Sequence, residues 1–206
     1  MTKDAKKKRE GARPGRPRAF DADAALQRAL DVFWRKGYEG TSLTDLTTAM
    51  GVNRPSLYAA FGNKEKLFRK VLDLYARDAV TFAREALQEP TARAVVEQYL
   101  CRNAEALGNR DYPRGCLVVH GALACGETAE PIRRELIARR AASEAALRRR
   151  LERAKSEGDL PADSNPGDLA RYVAAVSQGM AVQATGGASR AELRRVAETA
   201  LRALPK

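Results

Sequence analysis

Five residues close together carry the first recognisable chemistry of this chain: Gly51, Arg54, Pro55, Ser56 and Tyr58, within the run GVNRPSLYAAFGNKEKLF, residues 51–68. A guanidinium, a hydroxyl and a phenol are hydrogen-bonding groups for phosphates and base edges. Glycine supplies the sharp turn that precedes such a helix. Proline fits the first helical turn, where its missing N–H has no partner to lose. The set therefore describes a helix-turn-helix whose second helix leaves one face free for a DNA groove. Leu46, Met50, Val52 and Leu57 would lock the two helices, and Arg54, Pro55, Ser56, Tyr58 and Ala59 would lie on the free face. The same spacing also suits a plain αα-hairpin inside a helical bundle.

A second stretch with chemical potential is RGCLVVHGALACGE, residues 114–127. Cys116 and His120 are four apart, Cys125 follows now nine after Cys116, and Cys101 could approach from the preceding helix. Thiolate and imidazole suit copper or zinc, or a thiol switch. Buried cysteine also serves as a small core residue. The metal candidates are thus Cys116, His120 and Cys125.

The elements that must position these groups are helical throughout. Ala25, Leu26, Ala29, Leu30, Phe33 and Trp34 recur at helical spacing from Asp21 to the glycine at 37. Thr41 or Ser42 caps a second helix carrying Leu43, Leu46 and Met50. Asn53 or Arg54 starts the third, with Leu57, Ala60 and Phe61 inward, and Asn63 caps a fourth that runs from Lys64 to about Glu85. Further helices are expected over 91–107, 114–126, 131–157, 168–184 and 191–204, the last opened by a Ser189/Glu192 capping box. The expectation is an all-α chain of about nine helices with no strand.

Composition agrees. The chain has 206 residues, 44% of them hydrophobic, enough for a packed core. No apolar run reaches the roughly 18 residues of a membrane span, and no secretory signal is evident. Three cysteines suggest reduced thiols and a cytoplasmic setting. The formal net charge is +11, and residues 1–18 hold eight Lys/Arg against Asp4 and Glu10. That segment reads as a disordered basic arm, in which Arg16 and Arg18 of PGRPR could enter a minor groove. One histidine, no phosphate-cradling glycine loop and no nucleophile elbow argue against an enzyme.

The run FDADAALQRALDVFWRKGYEGTSLTDLTTAMGVNRPSLYAAFGNKEKLF, residues 20–68, resembles the DNA-binding head of the TetR family of bacterial transcriptional regulators. The resemblance implies a three-helix head over 19–63 and a ligand-binding, dimerising body over 64–206. It implies base-edge contacts by Arg54, Pro55 and Ser56, with Ala59 beside them. It implies phosphate contacts by Tyr58, Lys64, Thr41 and Thr44. Thr47 departs from the alanine usual there, and Pro55 from a frequent glycine. The last two helices, Asp168–Ala184 and Ala191–Leu204, resemble the family's dimerisation pair, with small residues Ala174, Ala175, Gly179 and Ala181 to allow close approach.

The expected function is a homodimeric, sequence-specific DNA-binding regulator, a repressor released by an unknown small-molecule effector. Its partner is double-stranded DNA, with no cofactor and no membrane. The effector pocket is expected around Tyr99, Cys101, Cys116 and His120. The alternatives are a non-specific architectural DNA-binding protein, or a metal- or thiol-responsive sensor using Cys116 and His120.

Overall fold

The computed structural model describes residues 21–124 and 129–205, with the side chains of 122–124 left aside. Its described residues form ten helices and no strand: α1 Ala22–Lys36, α2 Leu43–Met50, α3 Arg54–Phe61, α4 Lys64–Asp78, α5 Thr81–Ala86, α6 Ala92–Leu107, α7 Leu117–Ala124, α8 Glu130–Ser156, α9 Pro166–Thr185 and α10 Arg190–Arg202. The basic arm, with Arg16 and Arg18, and Cys125 lie outside the described residues.

Local chemistry sets the ends of the first four helices. The Asp21 carboxylate accepts from the backbone N–H groups of Asp23 and Ala24, and α1 stops at Gly37 with φ +70°. Ser42, not Thr41, caps α2 in a reciprocal box with Asp45. Gly51 sits in the left-handed region at φ +69°, which a β-carbon disfavours, and turns the chain into α3. The Asn53 side chain accepts from the Ser56 N–H, and the Asn63 side chain accepts from the Lys66 N–H. Four donors that a helix start leaves unpaired are thus partly satisfied at each junction.

The count differs from nine because the expected helix over Lys64–Glu85 breaks. Val80 leaves helical geometry at φ −125°, ψ 26°, and α5 starts anew at Thr81. The break lets Phe82 pack edge-on against Tyr99 of α6, centroids 6.1 Å apart. Tertiary packing thereby overrides a continuous apolar stripe.

Two apolar cores result. One joins α1–α4 through Phe33, Leu46, Leu57, Phe68 and Leu72, and continues into Leu117, Ile132 and Leu136. The other joins α6, the second half of α8, α9 and α10 through Leu100, Leu147, Val173 and Leu193. The helical head is therefore packed onto α4, α7 and the start of α8 rather than tethered by a flexible linker. Cys116 touches both cores.

Candidate nucleic-acid interface and body cavity

The helix α3 has only Leu57 and Phe61 buried. Arg54, Pro55, Ser56, Ala59 and Ala60 are exposed, and Tyr58 is 46% exposed. Ala60 therefore faces out, against the inward expectation, because two anchors one turn apart suffice to seat so short a helix. The Arg54 guanidinium donates to the Thr44 hydroxyl at 3.3 Å, which aligns the start of α3 with the exposed edge of α2. Lys64, at the start of α4, holds its ammonium 4.4 Å from the centre of the Tyr38 ring. Thr44, Arg54, Ser56, Tyr58 and Lys64 thus come from the three successive helices α2, α3 and α4, with helix starts of α3 and α4 adding positive partial charge.

Thr41 differs from the rest of the expected set. It is 1% exposed, and its hydroxyl donates to the Gly37 carbonyl at 2.6 Å. Because Ser42 takes the cap, Thr41 is turned inward to close the α1–α2 turn. The Thr47 hydroxyl, which had to be absorbed somewhere, donates to the carbonyls of Leu43 and Thr44 at 3.0 and 3.1 Å. Nearby, the Lys36 ammonium at 2.6 Å and the Ser42 N–H hold the Asp45 carboxyl well below the usual carboxylate range. Asp45 is thereby committed to the turn of the head.

This exposed second helix on a packed three-helix head coincides with the family matches. Residues 25–71 match the model of Bacterial regulatory proteins, tetR family, and residues 90–200 that of the Tetracyclin repressor-like, C-terminal domain. The chain belongs to the TetR family. It is 36% identical over 195 residues to the HTH-type transcriptional repressor ComR of Escherichia coli (strain K12), covering 93% of this chain and 92% of ComR. The TetR family transcriptional regulator CifR, solved as a cysteine mutant complexed with 26bp double-strand operator DNA, is 46% identical with a TM-score of 0.88. That match covers 92% of this chain and 100% of the CifR chain. A TetR transcriptional regulator from Rhodococcus sp. RHA1 is 42% identical with a TM-score of 0.62, over 90% of this chain and 100% of that one. The protein is a DNA-binding transcriptional regulator.

The body of this TetR-family regulator holds a cavity of about 260 Å³. Leu72 and Tyr75 of α4 and Phe82 of α5 form an apolar wall. Of the four residues named from the sequence, Tyr99 and Cys116 line it, and Cys101 and His120 do not. Cys101 is half-buried, and burial, followed by the nearby Glu97, pushes its thiol up. His120 lines a separate cleft with Trp34, Arg114 and Thr185, and its Nε2 lies 2.6 Å from the Thr185 hydroxyl. Burial pushes the His120 pKa below its ordinary value.

Cys116 and His120 thus face different spaces despite their spacing of four. The helix α7 begins only at Leu117, so Cys116 precedes the regular turns, and its carbonyl accepts from the His120 N–H at 3.0 Å. Among the described residues no group of three or more His, Cys, Asp or Glu side chains could hold a metal ion. Cys125 lies outside them, and Cys116 and His120 line different spaces.

Sequence reasoning missed the joint between head and body. The Trp34 indole N–H donates to the Gly115 carbonyl at 3.0 Å. Its ring meets Tyr75 edge-on at 4.8 Å and stacks on Tyr112 at 5.8 Å. Tyr75 is buried beside the Cys116 thiol, and burial followed by that neighbour pushes its phenol up. A tryptophan at the end of the first helix was the available signal, but its apolar spacing read simply as core.

Proposed function

We propose that this TetR-family regulator is a ligand-responsive repressor that binds operator DNA as a homodimer. The head over 19–63 reads DNA, and the body over 64–206 binds effector and partner subunit. Arg54, Pro55, Ser56 and Ala59 meet base edges, while Tyr58, Thr44 and Lys64 meet phosphates. Phosphate contacts set the docking and base-edge contacts set the sequence read. Thr41 is left out of this contact set because it is buried. The observation that carries the reading is the exposed outer face of α3, held by Leu57 and Phe61 alone.

The dimer uses the outward face of α9 and α10. Tyr172, Ala175, Val176, Gly179 and Val182 recur at helical spacing, and Val196 of α10 adjoins them. Val182 and Val196 are 48% and 41% exposed, an apolar stripe suited to a second copy. The expected contributions of Ala174 and Ala181 move elsewhere, since both are buried in the protomer's own core. Two copies are needed because recognition helices must reach grooves about 34–36 Å apart.

An effector in the cavity would act through Tyr75 and Cys116. Tyr75 touches Trp34 of α1, and Cys116 follows Gly115, the acceptor of the Trp34 N–H. Filling the cavity therefore bears on the two groups that fix the head's first helix. A ligand shifts the heads only if it favours the non-binding arrangement.

Selection of bound duplexes from a genomic pool, followed by gel shifts, tests the reading. Tyr58→Phe should weaken binding to every sequence, and Ser56→Ala should change the selected motif. Equal affinity for selected and random duplexes would replace the repressor with a non-specific architectural binder.

A further inference from the structure

The cavity is chemically two-sided. Its α4–α5 wall presents Leu72, Val80 and Phe82, whereas α8 and α9 present Arg139, Arg140, Glu144, Ser177 and Gln178. The charges on the polar side are unequally satisfied. Arg139 bonds Asp73 at 2.6 Å and Glu135 at 2.8 Å. Glu144 lies 3.5 Å from Arg171. Arg140 has no carboxylate partner among the described residues. Its Nη1 donates to the Gln178 Oε1 at a long 3.5 Å, and its Nε is buried without any hydrogen bond.

A buried guanidinium N–H without an acceptor is costly and calls for a charged or strongly polar oxygen. A carboxylate fits the planar fork best, because it can take two parallel N–H donors. The polar groups beyond Arg140 are already engaged with one another. The Asn103 side-chain N–H donates to the Ser177 hydroxyl at 2.9 Å, and the Tyr99 phenol, raised in pKa chiefly by burial, lines the same wall. One anionic end is thus accommodated, and the rest of the occupant must be apolar. Size narrows it further: a cavity of about 150 Å³ holds benzene, so 260 Å³ holds roughly ten non-hydrogen atoms in proportion.

We propose that the cavity takes a small monocarboxylic acid with an aryl or alkyl body, its carboxylate held by Arg140 and its apolar end against Leu72, Tyr75 and Phe82. The assignment rests on the reading of this cavity as the effector site and names the class of effector. The apolar end would then press on Tyr75, the residue that touches Trp34.

The test is calorimetry on the full chain without DNA, comparing phenylacetate and octanoate with phenylacetamide and octanamide. The acids should bind at least tenfold more tightly than the amides of the same shape, since a charge-assisted bond is exchanged for a neutral one. Arg140→Gln should bring the acids down to the level of the amides, and Arg140→Lys should keep part of the preference. Thermal melts of both variants check that they fold, and the wild-type comparison stands without them. Equal or tighter binding of the amides, an acid preference kept in Arg140→Gln, or no binding of either acid would each overturn the proposal. Acids that bind tightly yet leave operator complexes intact in a gel shift would uphold the carboxylate assignment while refuting the effector reading.

Discussion

Replacing Trp34 with Phe isolates the joint between head and body. Phenylalanine retains an aromatic face for Tyr75 and Tyr112 but removes the N–H that reaches the Gly115 carbonyl at 3.0 Å. A hydrogen bond of this kind contributes about 1 kcal/mol net, within a range of about 0.5–1.5. Each dimer has two such joints, so operator binding by loosened heads loses about 2 kcal/mol at the central value, near 30-fold in affinity, and at most about 3 kcal/mol. The loss arises because each head must be re-ordered on the duplex. Non-specific binding, which tolerates many head arrangements, should change far less.

Fluorescence anisotropy with a labelled operator measures the affinity, and a set of operators with half-sites moved by one or two base pairs measures the rigidity. The variant should bind the native spacing more weakly and discriminate less against altered spacings. Full affinity together with unchanged spacing discrimination would refute the idea that this bond orients the head. Trp34 is the only tryptophan in the chain. Its emission in the wild type therefore reports the joint directly, and a cavity ligand that acts through Tyr75 should change it.

Three further outcomes follow from individual contacts. Thr47→Ala should leave the fold intact and raise stability slightly, by up to about 0.5 kcal/mol in chemical denaturation, because the lost hydroxyl bonds only carbonyls of its own helix and alanine is the better helix former. Val182→Glu should convert the dimer to monomer in analytical ultracentrifugation while leaving the protomer's helicity unchanged, since the side chain is 48% exposed in the single chain. His120 is held below its ordinary pKa of 6.5 by burial, so the unfolded chain binds its proton first as pH falls. Its contribution to stability is complete above pH 6.5 and declines as pH drops below that value. Urea midpoints measured from pH 7.5 to 5.5 should show this decline, and His120→Gln should flatten it.

What the sequence made legible were the signals carried by one or two neighbouring residues. Asn63 and Ser189 cap where side-chain type and position dictate, and Gly37, Gly51 and Gly62 end helices with positive φ. The exposed face of α3 was legible from its buried anchors Leu57 and Phe61, although Ala60, expected inside, joins the exposed face. Choices between adjacent candidates were not. Thr41 and Ser42 can both cap, and only the fold decides that Ser42 does so and Thr41 is buried. The break at Val80 has no glycine or proline to announce it and exists because Phe82 finds Tyr99. The spacing of Cys116 and His120 did not show that they line different spaces, because Cys116 stands just before the helix that carries His120. Arg140 was invisible among the many arginines of α8, whose pattern reads as a solvated face.

The scale of the joint also bears on how an effector could work. Allosteric coupling between two sites is typically about 1–3 kcal/mol. The polar and aromatic contacts of Trp34 between cavity and head are one hydrogen bond and a pair of ring contacts, with Gly115, Tyr75 and Tyr112. Aromatic pairs contribute about 0.5–1.5 kcal/mol beyond burial, and the hydrogen bond about 1. Their sum has the size the coupling needs, so a ligand has no cause to rearrange the second core of α6, α9 and α10. It needs only to displace Tyr75 or the backbone at Gly115–Cys116 by enough to break these contacts. That makes the joint, rather than the cavity lining as a whole, the place where substitutions should uncouple ligand binding from DNA release while sparing both.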